Sequence, residues 1–300
     1  MTSPAPRRNR VCKRAVVQRT ERITPHMIRV VLTSEDFVDN GTTDHYVKLL
    51  FGKPGVEYPE PLDMGVVRET FPAEHWPTMR TYTVRSWDED SKELTIDFVY
   101  HGDEGVAGPW AAAAKPGDVL WFNGPGGAYA PDEAADWHLL VGDESALPAI
   151  GAAVEQLRPG ARATVLLEVE DETEEQKFGG SGEVDVTFFH RAGSDTARGD
   201  SLVAAVAALD FPSGDPHIFV HGEAGFVFRI RQNLFTDRGL PATASPSPAT
   251  GASARTRTAG RPRRRRPPAR SEKPPPPDDQ RPRMEKVLLM PNWKRPQAAK

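Results

Sequence analysis

The sequence Arg80-Thr81-Tyr82-Thr83 combines residue types that suit a ligand with both a diphosphate and a flat ring system. It lies in a run that alternates as a β-strand does, so Arg80 and Tyr82 are expected to point to the same face. A guanidinium can donate two parallel hydrogen bonds to a phosphate, and an aromatic ring can pack against another ring. Alone, the tetrapeptide is weak evidence, because an exposed strand with an Arg–Tyr pair is the commoner case.

A second segment suited to phosphate binding lies downstream, where a glycine-rich turn opens a short predicted helix. It begins with His101-Gly102 and continues as Gly105-Val106-Ala107-Gly108-Pro109-Trp110. The first N–H groups of a helix have no partner within the helix and can bind phosphate oxygens. In this context the strand from Arg80 to Thr83 becomes a candidate nucleotide site.

Two further turns indicate a dinucleotide site. Gly142-Asp143-Glu144 follows a predicted strand and precedes a predicted helix, and Gly222-Glu223 stands at the end of another strand. Dinucleotides bind at the carboxyl edge of parallel sheets, although the G-x-G-x-x-G fingerprint is absent here. The alternatives are a plain strand-to-helix turn for the first segment and a simple helix N-terminal acid for Glu223.

Other kinds of chemistry find little support in the sequence. The eight histidines contain no H-E-x-x-H pattern. His217 and His221 would lie about 13 Å apart on one strand, too far to share a metal. The single cysteine, Cys12, excludes an intrachain disulfide framework and a Cys-ligated Fe–S cluster. We therefore expect no metal ligated by the protein and no nucleophilic triad.

Short strands are predicted to position the first two segments. Between Val11 and Gly127 alternating residues predict six strands, at 11–23, 27–35, 46–52, 80–88, 93–101 and 118–123. Such a set suggests a small closed antiparallel barrel, because closure removes exposed edges. The long segment 53–79 between two of these strands is expected to be a lid or binding loop.

Alternating strands and helices are predicted to position the two later turns. The strands are expected at 137–142, 163–169, 184–190 and 217–221, and the helices at 146–157, 201–209 and 224–238. This alternation favours a parallel sheet with helices on its faces. We therefore assign residues 11–130 to an antiparallel β-barrel domain and residues 131–240 to an α/β domain.

Residues 241–300 differ sharply in composition from the rest. They hold 13 of the 29 prolines and 15 Arg and Lys against 4 acidic residues, whereas residues 1–240 hold 23 basic and 38 acidic residues. Apart from Val287 to Met290 this tail is low in apolar residues, so we expect it to be disordered. It is either a frameshift product or divergent terminus, or a basic arm that binds nucleic acid or an anionic membrane.

Taken in order, these motifs resemble the siderophore-interacting protein family, which comprises flavoproteins on the ferredoxin-reductase-like scaffold that reduce ferric siderophores. Besides the segments above, the resemblance rests on Val141 to Ile150, Leu166 to Val169 and His221 to Ala224, and it covers roughly residues 11–240. Two departures are Val106, where the family commonly has Pro, and the chain after Leu240. There the family has a short aromatic-containing ending, and a missing final strand would leave a sheet edge unpaired.

The resemblance implies a role for each residue of the four segments. Arg80 would hold the FAD diphosphate, Tyr82 would pack on the flavin, and Thr83 would bond near the isoalloxazine. The second segment would complete the FAD site with His101, Gly102, Gly105, Ala107 and Trp110. The nicotinamide dinucleotide would lie against Gly142, Asp143, Glu144, Gly222 and Glu223.

The activity implied is the passage of electrons from NADPH or NADH through FAD to a ferric siderophore, which then releases Fe(II). Two alternatives stay open: a flavin oxidoreductase with another acceptor or a ferredoxin donor, and a siderophore-binding protein without reductase activity. Arg191 is a candidate for a 2′-phosphate contact, although an exposed arginine at a strand end is commoner. The sequence leaves the particular siderophore and the oligomeric state open.

We expect a cytoplasmic protein without a membrane partner. The start of the chain has no apolar segment typical of a signal peptide, and no apolar run approaches the length of a membrane span. Nucleic acid is expected to bind only if the basic tail binds it.

Overall fold

The first half of the chain forms a closed antiparallel barrel in the computed structural model, which describes residues 11–240 and the backbone of residues 287–292. In chain order its strands are Lys13–Thr24 (β1), Met27–Thr33 (β2), Tyr46–Phe51 (β3), Thr78–Asp88 (β4), Glu93–Val99 (β5) and Val119–Gly126 (β6). Around the barrel they follow the order β1-β2-β5-β4-β3-β6. The prediction of a six-stranded closed barrel is confirmed.

The long segment between β3 and β4 is an anchored cover on the barrel wall. It contains a helix, Met64–Thr70 (α1), and a 3₁₀ turn, Ala73–His75. Leu62 and Val67 are buried in one cluster with Cys12 and Leu50. The backbone N–H of Cys12 donates to the Leu62 carbonyl at 2.7 Å. This packing differs from the lid that the Pro- and Gly-rich sequence suggested.

A short helix, Ala107–Ala113 (α2), packs against the barrel core. Ala107 and Ala111 of this helix are buried together with Phe98 of β5, which is fully inside. Leu94 and Ile96, on the same strand, are also fully buried, as the alternation of this strand requires. The segment 105–110 is thereby fixed against the strand that precedes it.

The second half of the chain is a parallel sheet with helices on both faces. Its strands are Trp137–Asp143 (β7), Arg162–Val169 (β8), Glu183–His190 (β9) and Pro216–Glu223 (β10). Helix Leu147–Glu155 (α3) packs on one face, and helices Asp200–Ala208 (α4) and Ala224–Gln232 (α5) pack on the other. Every residue of β7 is buried, as expected for a central strand. The predicted α/β arrangement is confirmed.

Within the tail that was expected to be disordered, six residues differ from the expectation. The backbone of Val287–Asn292 (β11) pairs in parallel with β10, which gives the sheet the order β11-β10-β7-β8-β9. The run from Val287 to Met290 is apolar and includes a β-branched residue, which favours a strand. The edge of β10 that was expected to be unpaired therefore carries a strand. The rest of residues 241–300, including the basic runs, lies outside the described residues.

Within residues 11–240 and 287–292, every helix is too short or too polar to cross a lipid bilayer.

Candidate functional site

The strand that carries Arg80 and Tyr82 forms part of the barrel wall. In β4, Arg80 lies opposite Leu49 and Tyr82 opposite Val47, both on β3. Both side chains are partly exposed, and Arg80 Nη1 donates to the carbonyl of Met79 at 2.9 Å. Burial raises the pKa of Tyr82 to about 12, although the charge of Arg80 works to lower it. The phenol is therefore protonated at neutral pH.

The second predicted segment meets this strand at the barrel core. The rings of Tyr82 and Trp110 approach Phe98 with centroid distances of 4.5 Å and 5.6 Å. Phe98 therefore links the strand to α2, whose Ala107 is buried. His101 is exposed, with its ring centroid 6.2 Å from that of His26.

The loop between β5 and α2 keeps its backbone accessible. Gly102 and Gly105 both have positive φ values, 65° and 79°. Among the described residues no side chain caps the N-terminus of α2, which begins after Val106. Unpaired N–H groups at such a turn can bind phosphate oxygens.

The carboxyl edge of the parallel sheet brings the two later turns together. Gly142 of β7 pairs with His221 of β10. A Cβ on Gly142 would lie 2.3 Å from the Cβ of Ala146 and 2.8 Å from the carbonyl of His221, so only glycine allows this close approach of strand and helix. Gly222 has φ of 141°, and a Cβ there would lie 2.8 Å from Cγ of Asp143.

Asp143 links these two turns through hydrogen bonds. Its Oδ1 accepts hydrogen bonds from Ser145 N and Oγ at 3.0 Å and 2.6 Å, and its Oδ2 accepts one from Glu223 N at 3.1 Å. The Glu223 side chain caps α5 by accepting from Gly225 N at 2.7 Å. The Glu223 bond matches the alternative in which Glu223 is simply an acid at a helix N-terminus. The Asp143 bonds hold the two turns of the sheet edge in place.

Arg191 lies among carboxylates, and Glu144 is its nearest partner. Its guanidinium is 2.9 Å from Glu170 Oε2 and 3.7 Å from Glu168 Oε1, and its side chain is 15% exposed. Burial works to lower the pKa of Arg191, but the hydrogen bonds and charges of Glu144 and Glu170 raise it overall. The Arg191 side chain is thus mostly buried against carboxylates, unlike the exposed strand-end arginine that is the commoner case.

The same cluster contains residues that the sequence did not single out as a site. Glu168 is 1% exposed and accepts the N–H of Gly199 with both oxygens, at 2.9 Å and 3.0 Å. Arg198, half exposed, is 3.9 Å from Asp143 and 3.7 Å from Glu144. Glu168 belongs to a recognised motif, but its role depends on a loop about thirty residues later, which no local pattern reveals.

The barrel and the α/β half are joined by side chains that the sequence also did not indicate. Arg85 of β4 pairs with Glu155 of α3. Glu174, 2% exposed, accepts hydrogen bonds from Thr24 Oγ1 at 2.5 Å and from His26 N at 2.9 Å. The two halves of the candidate site therefore hold a defined relative orientation.

The residues present fit an FAD at the barrel and a dinucleotide at the sheet edge. The barrel offers a partly exposed guanidinium, aromatic rings and a helix start without a side-chain cap. The sheet edge offers two glycine turns at adjacent strand ends. Two buried polar atoms, Asp44 Oδ2 just before β3 and His221 Nδ1 on β10, have no hydrogen-bond partner in the described part of the chain.

Comparison with protein families gives two adjoining matches. Residues 16–129 match the siderophore-interacting FAD-binding domain, and residues 135–247 match the siderophore-interacting protein family. Together they span the barrel and the α/β half.

Three relatives show the same similarity along most of their length. An uncharacterized protein of Mycobacterium tuberculosis is 41% identical over 74% of this chain and 83% of its own. The ferric vibriobactin reductase of Vibrio cholerae is 33% identical over 72% of this chain and 80% of its own. The NADPH-dependent ferric-chelate reductase of Escherichia coli is 32% identical over 75% of this chain and 87% of its own.

Solved structures agree with these matches. A siderophore utilization protein from T. fusca superposes with a TM-score of 0.66 at 35% identity, covering 77% of this chain and 88% of that one. A ferredoxin-NADP+ reductase from Plasmodium falciparum superposes with a TM-score of 0.56 at 9% identity, covering 76% and 93%. The second likeness shows the shared fold alone.

Proposed function

Because the chain belongs to the siderophore-interacting protein family, we propose that it reduces ferric siderophores with electrons that pass from NAD(P)H through FAD. The observation that supports this proposal is that the barrel carries the Arg80 to Thr83 strand and α2, while the carboxyl edge of the parallel sheet carries the Gly142 and Gly222 turns on adjacent strands. The names of the relatives from Vibrio cholerae and Escherichia coli support the same substrate class.

The barrel residues bind and orient the flavin cofactor. Arg80 holds the diphosphate, helped by the N–H groups at the start of α2. Tyr82 packs on the flavin as a neutral phenol, since its pKa is raised by burial to about 12. Thr83 and His101, together with Gly102, Gly105, Ala107 and Trp110, complete the site. When bound, FAD accepts two electrons together from a nicotinamide and gives them up singly.

The sheet-edge residues bind the nicotinamide dinucleotide. Gly142 and Gly222 let the dinucleotide approach the backbone at the ends of β7 and β10. Asp143 holds the two turns in register through its bonds to Ser145 and Glu223. Glu144 is held by Arg191 and shapes the wall of the same cleft.

The substrate is iron(III) held by a siderophore, and the product is Fe(II), which siderophores bind far less tightly. The chain itself needs no nucleophile and no metal ligand for this reaction, because the electrons pass from one bound group to the next. Residues 1–240 carry an excess of acidic over basic side chains, which repels anionic complexes at long range. Neutral or cationic ferric hydroxamates are therefore favoured over anionic ferric catecholates.

A visible absorption spectrum of the purified full chain tests this function. The expected sequence is a flavin band, loss of that band on anaerobic addition of NADPH or NADH, and its return when ferric desferrioxamine is added. A band that neither nicotinamide removes would argue for a different electron donor. Absence of flavin even after incubation with FAD would contradict the proposal.

A further inference from the structure

Four carboxylates meet at the carboxyl edge of the sheet, in the cleft where we place the dinucleotide. Asp143 and Glu144 stand at the end of β7. Glu168 and Glu170 stand at the end of the neighbouring strand β8, and Glu168 pairs with Asp143. The first three residues are at most 5% exposed, whereas the Glu170 side chain is 44% exposed. Glu170 is therefore the carboxylate of this set that a ligand in the cleft can reach.

Glu170 is held in place through both its backbone and its side chain. Its carbonyl accepts the N–H of Ala192 at 2.8 Å, and the preceding carbonyl, of Val169, accepts the N–H of Arg191 at 3.0 Å. Its Oε2 accepts a hydrogen bond of 2.9 Å from the Arg191 guanidinium. The ends of β8 and β9 thus fix the position of this carboxylate before any ligand arrives.

The Arg191 guanidinium is surrounded by carboxylates and is little open to the cleft. Its Nη2 donates to both Glu144 and Glu170. Its Nη1 is buried and lies 3.7 Å from Glu168 Oε1, and the whole side chain is 15% exposed. Arg191 therefore neutralises and orients carboxylates of this chain, and an incoming phosphate would have to compete with three of them for it.

The charge that remains at this edge is negative. Arg198, the second cation of the cluster, is half exposed and lies 3.9 Å from Asp143 and 3.7 Å from Glu144. Burial raises the pKa of Glu168. Even with Glu168 protonated, three carboxylates stand against the two guanidinium groups. Like charges brought together in a partly buried cleft cost binding free energy, so this edge disfavours a further anion.

A further anion is what distinguishes the two nicotinamide donors, because NADPH differs from NADH only by a phosphate on the adenosine 2′-oxygen. In dinucleotide sites on parallel sheets, an acidic residue beyond the first strand–helix turn binds the 2′-hydroxyl of NAD, and an arginine accommodates the 2′-phosphate of NADP. Glu170 follows β8, the strand beside the one that leads into the Gly142 turn. The arginine nearest to it, Arg191, is already bonded to it.

We propose that Glu170 makes this chain prefer NADH over NADPH, a preference that rests on the function proposed above. The Glu170 carboxylate accepts a hydrogen bond from the adenosine 2′-hydroxyl of NADH, while Arg191 holds that carboxylate in position. A 2′-phosphate can donate no such bond when it is fully ionised, and it places two more negative charges beside Glu144 and Glu170.

Calorimetric titration of the FAD-loaded full chain with NAD⁺ and with NADP⁺ tests this preference without any turnover. The parent chain is expected to bind NAD⁺ roughly 10-fold or more tightly than NADP⁺. Glu170→Gln keeps the size of the side chain and removes its charge. The ratio of the two affinities is expected to fall roughly 10-fold in this variant, through weaker binding of NAD⁺ and tighter binding of NADP⁺.

The ratio separates specificity from a general effect on the fold. A variant that only loosened the sheet edge would weaken both nucleotides alike and leave their ratio unchanged. Glu172→Gln is the matched control, since it removes one negative charge at an exposed position two residues further on. This control is expected to keep both affinities and their ratio.

The outcomes also separate this preference from the reductase function. Equal or tighter binding of NADP⁺, the phosphorylated form of the nucleotide that the name of the Escherichia coli relative gives for that protein, would overturn the preference. So would a parent ratio in Glu170→Gln. In either case, loss of the flavin band with NADPH would leave the proposed function intact. A flavin band that neither NADH nor NADPH removes would contradict the proposed function, whatever the ratio of the affinities.

Discussion

Arg85 of β4 donates hydrogen bonds to both carboxylate oxygens of Glu155 in α3, one of them at 2.7 Å, and so joins the barrel to the α/β half. The Arg85 side chain is 13% exposed and lies over Gly151, where a Cβ would come within 3.2 Å of its guanidinium. Arg85 follows the Arg80 to Thr83 segment on β4, and Glu155 lies in the helix that follows the Gly142 turn. The relative placement of these two segments is therefore set in part by side chains that neither motif includes.

Replacing Arg85 is expected to loosen this junction. Arg85→Met should lower the free energy of unfolding by about 1 kcal/mol, since Glu155 is itself partly exposed to solvent. Reduction of the flavin by nicotinamide should slow more than FAD binding weakens. Urea unfolding and flavin bleaching measure the two effects. Arg19→Met removes a two-bonded pair with Glu93 on the surface of the barrel, and this control should leave flavin bleaching unchanged.

The pH dependence of the same variant follows from Glu155. The hydrogen bond from Arg85 lowers the pKa of Glu155 in the folded chain. A carboxyl whose pKa is lower in the folded chain than in the unfolded chain stabilises the fold at pH values above its unfolded pKa. This stabilisation is lost as the pH falls through the pKa of the folded chain. The stability difference between the parent and Arg85→Met should therefore be largest near neutral pH and shrink in acid. A difference that grows in acid would show that the Arg85–Glu155 pair does not stabilise the folded chain in this way.

Glu174 provides a second contact between the halves and is expected to be more sensitive. It is 2% exposed and accepts from Thr24 Oγ1, His26 N and the His26 ring, the last at 2.8 Å. Glu174→Gln should cost roughly 1–3 kcal/mol, because one acceptor oxygen becomes a donor in a buried place. Thermal or urea unfolding measures this loss. Glu175→Gln, at the exposed neighbouring position, should change stability little.

We expect the positive charge of Arg191 to stabilise the folded chain. Arg191→Met leaves Glu144 and Glu168 buried without their main positive partner, so the loss of stability should reach about 3 kcal/mol or more at neutral pH. Burial raises the pKa of Glu168, so this carboxyl favours the folded chain more at low pH than at neutral pH. Removal of Arg191 should strengthen that trend, and the deficit should shrink as the pH falls.

A second arginine variant tests whether the effect of Arg191→Met depends on the burial of the arginine or only on the loss of a positive charge. Arg198→Met removes a half-exposed cation whose contacts with Asp143 and Glu144 are 3.9 Å and 3.7 Å long. Its stability should stay within about 1 kcal/mol of the parent. Equal losses in both arginine variants would contradict the structural role of Arg191.

The FAD site is expected to depend on Arg80. Arg80→Ala should weaken FAD binding roughly 10- to 100-fold, because a hydrogen bond to a charged group contributes about 1.5–3 kcal/mol. Titration of the flavin-free chain, followed by flavin fluorescence, measures the affinity. Tyr82→Phe keeps the ring and removes only a hydroxyl that stays protonated at neutral pH, so its affinity should stay near that of the parent. Unchanged binding in Arg80→Ala would place the diphosphate elsewhere.

Local patterns in the sequence were sufficient to predict the barrel and the parallel sheet. Strand β5 alternates so clearly that burial of Leu94, Ile96 and Phe98 could be predicted from spacing alone. The glycines at 142 and 222 also marked the sheet edge, because a tight strand-to-helix turn has few other solutions.

The contacts between distant residues could not be predicted in this way. Arg85 and Glu155 are 70 residues apart, and Glu174 meets Thr24 across 150 residues, so no short pattern joins them. Arg191 was expected at an exposed strand end, but the carboxylates that cover it come from two other strands.

The proposed function requires this chain to couple nicotinamide oxidation to iron reduction. The most direct measurement follows both products at once without oxygen, with NADPH or NADH, FAD-loaded chain and ferric desferrioxamine, while a chromogenic chelator traps Fe(II). Two Fe(II) should form for each nicotinamide oxidised, and none should form when the flavin-free chain is used. Nicotinamide oxidation without Fe(II), or Fe(II) formation that does not need FAD, would contradict this function.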